Sequence, residues 1–182
     1  MGGIGSISDV RTSADDLYDT AIEQWGPSLE RLASAYEFDI EKRRDLRQDI
    51  YFQLWRSFHN YDGRCSLRTW TYRVAHHVAA SHVLRERRIL LTLVSLEEFE
   101  ALPDKDQGQL AIERHVNLTR LSMLIWQLKP LDRQVIVCWL EGMDAESIGE
   151  ITGLSAGNIA VRINRVKKIL ASRFLQRSVH ED

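Results

Sequence analysis

The chain is short of several things, and each shortage removes a class of function. Its 182 residues hold only two cysteines, Cys65 and Cys138, far apart and without a CxxC pair. That pattern offers neither a zinc site nor a disulfide framework, and it points to a reducing cytoplasm. Prolines number three, Pro27, Pro103 and Pro130, which leaves long stretches open to helix. The longest apolar run, Ile89 to Leu96, is broken by Thr92 and Ser95 and is far below bilayer length. Residues Met1 to Ser8 are Gly/Ser-rich and lack a basic n-region, so neither a signal peptide nor membrane insertion is expected. There is no Gly-rich phosphate loop, no HExxH and no GxSxG, so no enzyme activity, cofactor or metal is expected. The net charge is only −2, so any surface for nucleic acid must be local.

What is present is helical periodicity. A first helix is predicted from about Ala14 to Tyr36, kinked at Gly26-Pro27. A second runs from an Asp39 cap to Phe58 and aligns Leu46, Ile50, Leu54 and Phe58 on one face. Asn60-Tyr61-Asp62-Gly63 reads as a turn. A third helix, capped by Ser66, is expected to bury Leu67, Trp70, Val74, Val78 and Ser81. Periodicity fails from Ile89 to about Gln109, where Pro103 to Gly108 has linker chemistry. It resumes at Ile112 and stops at Pro130. A short helix follows from Leu131 to Leu140, with Gly142 at its C′ position. The reading is all-α: two small helical domains joined by a flexible linker, the second a helix-turn-helix. The expected bounds are a disordered start at 1–12, a first domain at 13–88, a linker at 89–110, a second domain at 111–177 and a tail at 178–182.

The most informative stretch is Asp144 to Leu170. Asp144 can cap a helix with Ile148 and Ile151 inside. Thr152-Gly153-Leu154 makes a tight turn in which Gly153 supplies a positive φ. Ser155 caps the next helix, which buries Ile159, Ile163, Val166 and Leu170. From Ser155 to Arg177 there are six basic residues and no acid. DNA carries roughly one charge per 1.7 Å of axis, so such a helix gains by releasing counterions. Ala156, Asn158 and Arg162 near its start are placed to meet base edges; later basic residues such as Arg165 and Lys168 follow for phosphates, with Asn164 on the same outward face. Charge runs on helices usually mark only a solvated face. Here the turn glycine, the serine cap, the buried isoleucines and the missing acids agree on DNA binding.

A second one-sided stretch lies between Arg64 and Arg88, with Arg64, Arg68, Arg73, Arg85, Arg87 and Arg88 against the single acid Glu86. His76, His77 and His82 add polar donors, and Tyr61, Trp70 and Tyr72 are interleaved. Basic groups follow phosphates and aromatics accept unstacked bases. Trp70 is on the apolar stripe and fits a core role better. Adjacent histidines point about 100° apart on a helix, and His77 and His82 are five apart, so no metal site is expected.

Together these segments resemble the extracytoplasmic-function (ECF) sigma factors. The resemblance is carried by Asp45-Leu46-Arg47-Gln48-Asp49-Ile50-Tyr51-Phe52-Gln53-Leu54-Trp55, by Tyr61 to Ala75, by Leu128-Lys129-Pro130-Leu131-Asp132-Arg133-Gln134, by Glu141-Gly142-Met143 and by Ile148 to Ser155. Single pieces are weakly specific; their order across two domains is strongly so. The resemblance implies docking on the clamp helices of the largest subunit of core RNA polymerase through Asp45, Gln48, Asp49, Leu54 and Trp55, with a further contact to the polymerase flap. It implies capture and melting of the minus-ten element by Asn60, Tyr61, Asp62, Arg64, Ser66, Arg68, Tyr72, Arg73, His76, His77, Ala80, Ser81, Arg85 and Arg88. It implies reading of the minus-thirty-five element by Ser155, Ala156, Asn158, Arg162, Asn164, Arg165 and Lys168. An anti-sigma factor or a regulatory kinase is a further implied partner.

Two departures stand out. The family carries an acidic run where this chain has Lys42-Arg43-Arg44-Asp45, so like charges would weaken docking on a basic polymerase surface. Lys42, Arg43 and Arg44 thereby become regulatory candidates, with phosphorylation or a partner restoring negative charge. His76-His77 replaces the usual Arg-Asn, which leaves the minus-ten preference open. The competing reading is a helix-turn-helix regulator whose first half senses a ligand or dimerises without engaging polymerase as a sigma factor.

Overall fold

The computed structural model describes residues 13–93 and 109–178. Among them are seven helices and no strand: α1 (Ala14–Tyr36), α2 (Ile40–Phe58), α3 (Leu67–Leu93), α4 (Gln109–Trp126), α5 (Pro130–Leu140), α6 (Ala145–Thr152) and α7 (Ala156–Ser178). The expected disordered start, most of the expected linker and the end of the tail lie outside the described residues.

Helices α1 to α3 pack on one another as one bundle. Ser13 opens α1 through a capping box: its Oγ accepts from the Asp16 amide, and the Asp16 carboxylate accepts from the Ser13 amide. The helix is continuous through Gly26-Pro27. Asp39 caps α2 as expected, accepting from the Lys42 amide at 2.9 Å. The stripe Leu46, Ile50, Leu54 and Phe58 is fully buried, as its spacing of four requires.

Helix α3 differs from its expectation. Leu67, Trp70, Val74 and Val78 are only half-buried against the core, and Ser81 is exposed. The buried set is Thr69, Thr71, Tyr72, Ala75, His76, Ala79 and His82. Small residues let α3 approach α1 and α2 closely. The polar ones are buried because partners await them: Tyr36 Oη lies 3.0 Å from His76 Nδ1, and Glu37 lies 2.8 Å from His82 Nε2. The helix also runs on past Arg88 to Leu93.

In the second half, α5 is buried on almost every side, with Asp132, Arg133, Val135, Ile136, Val137 and Cys138 all inside. A helix buried all round is packed between two layers. On one side lie α6 and α7, and on the other α1 and α3. The two halves therefore share a seam. Arg133 at the N-terminal end of α5 stands over the Tyr36 ring of α1, 5.2 Å from its centroid. No described helix is long and apolar enough to cross a membrane.

Candidate nucleic-acid interface

The helix-turn-helix forms from local chemistry. Asp144 caps α6 by accepting from the Ser147 amide at 2.7 Å, and that hydrogen bond holds its carboxyl below the usual range. Gly153 ends α6 in the left-handed region at φ 75°, as the turn demands. Ser155 Oγ faces the Asn158 amide and opens α7. Ile148, Ile159 and Val166 are buried between α6, α7 and α5.

Gly149 is a requirement that periodicity does not reveal. A β-carbon there would stand 2.8 Å from the Leu154 carbonyl oxygen, a backbone atom of the turn. The turn folds back onto α6 with room for hydrogen only. Gly149→Ala is expected to cost about 2 kcal/mol by overpacking and to shift α7 relative to α6. Thermal unfolding and duplex-DNA affinity check this together, and both should fall.

On α7, Ala156, Asn158, Asn164 and Lys168 are exposed. Arg162 and Arg165 are tied to α5: Asp132 accepts from Arg162 at 2.6 Å and from Arg165 at 2.7 Å through both oxygens. The basic face is thus partly neutralised by a buried carboxylate from the same domain. Val161, 68% exposed, lies on this face beside Asn158 and Arg162. It is the residue the sequence reading missed; the signal was an aliphatic side chain out of phase with Ile159, Ile163 and Val166.

In the first half, the loop before α3 is held by its own side chains. Tyr61 Oη donates to the Cys65 carbonyl at 2.7 Å, Asp62 accepts from the Arg64 amide, and Gly63 takes a positive φ of 74°. Ser66 caps α3 through the Thr69 amide. Tyr61 packs edge-on to Trp70, whose indole donates to Ser57 Oγ. A cavity of about 380 Å³ opens here, lined by Asp62, Arg64, Cys65, Trp70, Arg73 and, from the second half, Glu150.

The sequence-predicted minus-ten residues fall on two faces of α3. His77, Ser81 and Arg85 are exposed, with Arg85 3.2 Å from Asp49, and Ala80 is half-buried. Asn60, Asp62, Arg64 and Ser66 are exposed on the loop. Tyr72 and His76 are buried, while Arg68 and Arg73 are half-buried and donate to backbone carbonyls of Glu141 and Glu150 in the second half. The Arg88 side chain lies outside the described residues.

His76 is closed in between Tyr36 and Cys138, whose Sγ is 3.1 Å from Nε2. Burial drives its pKa down to about 3. The unfolded chain, with a histidine pKa near 6.5, binds the extra proton first, so folding loses free energy as pH falls below about 6.5. Between pH 6.5 and 5 this one side chain is expected to cost about 1.4 kcal/mol per pH unit. His76→Gln should remove that slope when urea unfolding is compared at both pH values. Below that window Glu37 adds a second loss: burial raises its carboxyl, but hydrogen bonds from His82 and from the Asp39 and Phe38 amides hold it below the usual range.

Helix α2 presents another exposed face. Asp45, Gln48, Asp49 and Trp55 are on it, and Phe52, 53% exposed, stacks on Trp55 at 6.4 Å. Phe52 also escaped the sequence reading, although it is three and four residues on from Asp49 and Gln48. Leu54 points the other way, into the core. The Lys42-Arg44 run is partly neutralised: Lys42 pairs with Glu86 and Arg44 with Glu41, while Arg43 donates to Ser34 Oγ.

Residues 21–89 match the Sigma-70 region 2 family. The chain is 25% identical over 158 residues to the RNA polymerase sigma factor YlaC of Bacillus subtilis, covering 86% of this chain and 89% of that one. It is 24% identical over 136 residues to the ECF RNA polymerase sigma factor SigX of the same organism, covering 72% and 70%. The fold is also that of the sigma factor RpoE solved with the anti-sigma factor NepR from Bartonella quintana: TM-score 0.66 at 18% identity, covering 85% and 94%. CnrH, solved with the cytosolic domain of CnrY, matches at TM-score 0.61 and 18% identity over 86% of each chain. Residues 21–89 thus match Sigma-70 region 2, and over most of its length the chain is similar to RNA polymerase sigma factors, among them ones of the extracytoplasmic-function type.

Proposed function

We propose that this chain binds core RNA polymerase, brings it to particular promoters and helps melt their minus-ten region, with no catalysis of its own. The observation that carries the reading is the pairing of two unlike surfaces on one chain. An exposed aromatic pair on α2, flanked by Asp45, Gln48 and Asp49, suits a protein partner, and an acid-free basic helix after a tight glycine turn suits DNA. The α2 face, with Asp45, Gln48, Asp49, Phe52 and Trp55, is the polymerase contact; the second half meets the flap.

Asn158 and Val161 are set to meet base edges, Val161 through a thymine methyl, with Lys168 on phosphate. The loop at 60–66 and the open face of α3, with His77, Ser81 and Arg85, take the minus-ten strand. Flipping a base costs a few kcal/mol of stacking, which a pocket and cationic contacts can offset without a chemical step. Lys42, Arg43 and Arg44 lower polymerase affinity until a partner or a modification supplies negative charge. An anti-sigma partner of the kind seen with RpoE suits the same exposed surfaces.

Run-off transcription from fragmented genomic DNA, with purified chain and core polymerase, tests the reading. Discrete, chain-dependent transcripts are expected. A chain that never co-purifies with core enzyme, Arg43→Glu/Arg44→Glu variant included, would refute it.

A further inference from the structure

The gap between the last two turns of α1 and the first turns of α2 is lined with cations. A cavity of about 240 Å³ opens there, walled by Glu30 and Ser34 from α1 and by Ile40, Arg43, Arg44 and Arg47 from α2. Spacings of three and four set Ile40, Arg43 and Arg47 on the side of α2 that faces α1, with Arg44 beside them. Sites for whole small molecules usually measure about 300–1,000 Å³, so this space suits one compact anionic group.

The three arginines are unevenly satisfied. Arg47 donates to Glu30 at 2.9 Å and Arg44 to Glu41 at 3.0 Å. Those carboxylates are 45% and 74% exposed, so both pairs are weak and readily exchanged. Arg43 is half-buried, and its partner is the neutral Ser34 hydroxyl at 3.2 Å. Ser34 Oγ in turn donates to the Glu30 carbonyl at 3.0 Å, and a hydroxyl can turn to donate to an anion instead. The cavity wall sets three positive charges against the single carboxylate of Glu30, a surplus of two. A phosphate monoester carries about −1.5 to −2 at pH 7 and offers three acceptor oxygens, which guanidinium forks match in pairs. It balances that surplus, where a carboxylate would leave one charge over.

We propose that Arg43, Arg44 and Arg47, with the Ser34 hydroxyl, form a site for a phosphate monoester, and that filling it relieves the repulsion these arginines exert on polymerase docking. The second clause rests on reading the α2 face as the polymerase contact. Arg44 is adjacent to Asp45 and four residues before Gln48, so its charge borders that face. A bound dianion neutralises the border without moving the backbone, and its release restores the cations. Lys42 stands apart from the cavity, paired with Glu86.

The test titrates O-phosphoserine into the full-length chain by calorimetry and by thermal unfolding. At tenfold excess over its Kd the ester is expected to raise Tm by about 4 °C. That shift should vanish in Arg43→Gln/Arg47→Gln and persist in Lys129→Gln, an exposed cation in the second half. Ser34→Ala, a smaller change in the same wall, should weaken binding about fivefold, which keeps the test decisive if the double variant unfolds. A shift that sodium chloride reproduces at equal ionic strength, or that the arginine variant retains, would overturn the site. Core-polymerase affinity is then measured with the ester saturating. It should rise about tenfold for the chain and stay constant for Arg43→Glu/Arg44→Glu, which carries its own negative charge. An affinity for polymerase that the ester leaves unchanged would overturn the second clause. Calorimetry involves no polymerase, so a chain that takes up the ester yet never binds core enzyme counts against the docking reading alone.

Discussion

Leu54→Ala is expected to destabilise the first bundle by about 3 kcal/mol, while its neighbour Trp55→Ala should cost under about 1 kcal/mol and instead weaken polymerase binding roughly thirtyfold. The resemblance places both side chains at the polymerase contact, yet they point in opposite directions. Leu54 has no exposed surface and is packed among Leu46, Ile50 and Phe58. Removing it leaves a cavity that a close-packed bundle cannot collapse to fill. Trp55 is 42% exposed, stacks on Phe52 and donates its indole N–H to Asp15 at 3.0 Å. An exposed aromatic pair, with Arg56 over the Phe52 ring, is what a partner buries first. Urea denaturation and core-polymerase titration of the two variants separate the roles. If Leu54→Ala kept full stability and lost only binding, the packing assignment would fail.

The second large effect concerns Asp132. Arg162→Ala combined with Arg165→Ala is expected to destabilise the second half by about 3 kcal/mol, far more than loss of two surface arginines would. The Asp132 side chain is 7% exposed and both arginines close over it. Without them a carboxylate is left shielded from water without its ion pairs. Asp132→Asn is the complementary change. It keeps the shape and removes the charge, so the arginines remain but are freed for phosphate. Affinity for duplex DNA at low salt should then rise about threefold, with a steeper dependence on salt. Thermal unfolding and fluorescence anisotropy decide the matter. A double-alanine variant that lost DNA affinity but no stability would show that the arginines serve DNA alone.

The same residues show how far sequence reading reaches. Asp39, Asp144 and Gly153 carry their own local instructions, because a cap or a positive φ is settled within a few residues. The α2 stripe was legible because one face of that helix is buried and the other is not. Helix α3 was misread because its buried side is made of alanines, threonines, a tyrosine and histidines, a weaker hydrophobic signal than its leucine and valines, and the histidines go inside because Tyr36, Glu37 and Cys138 are there to receive them. Arg162 and Arg165 looked like free cations because Asp132 is thirty residues away in the chain.

The sequence alone determined that the protein is helical, where most helices begin and end, that a helix-turn-helix closes it, and which family it resembles. The helices and their ends follow from interactions among residues a turn or two apart, and the resemblance from the order of motifs along the chain. Only the tertiary structure decided which cations are open and which are held, that Phe52 and Val161 are presented outward, and that the two halves meet with Glu141 between Arg31 and Arg68. These are matters of long-range packing, and charge is screened or satisfied by whatever the fold brings within a few ångströms, regardless of its distance along the chain.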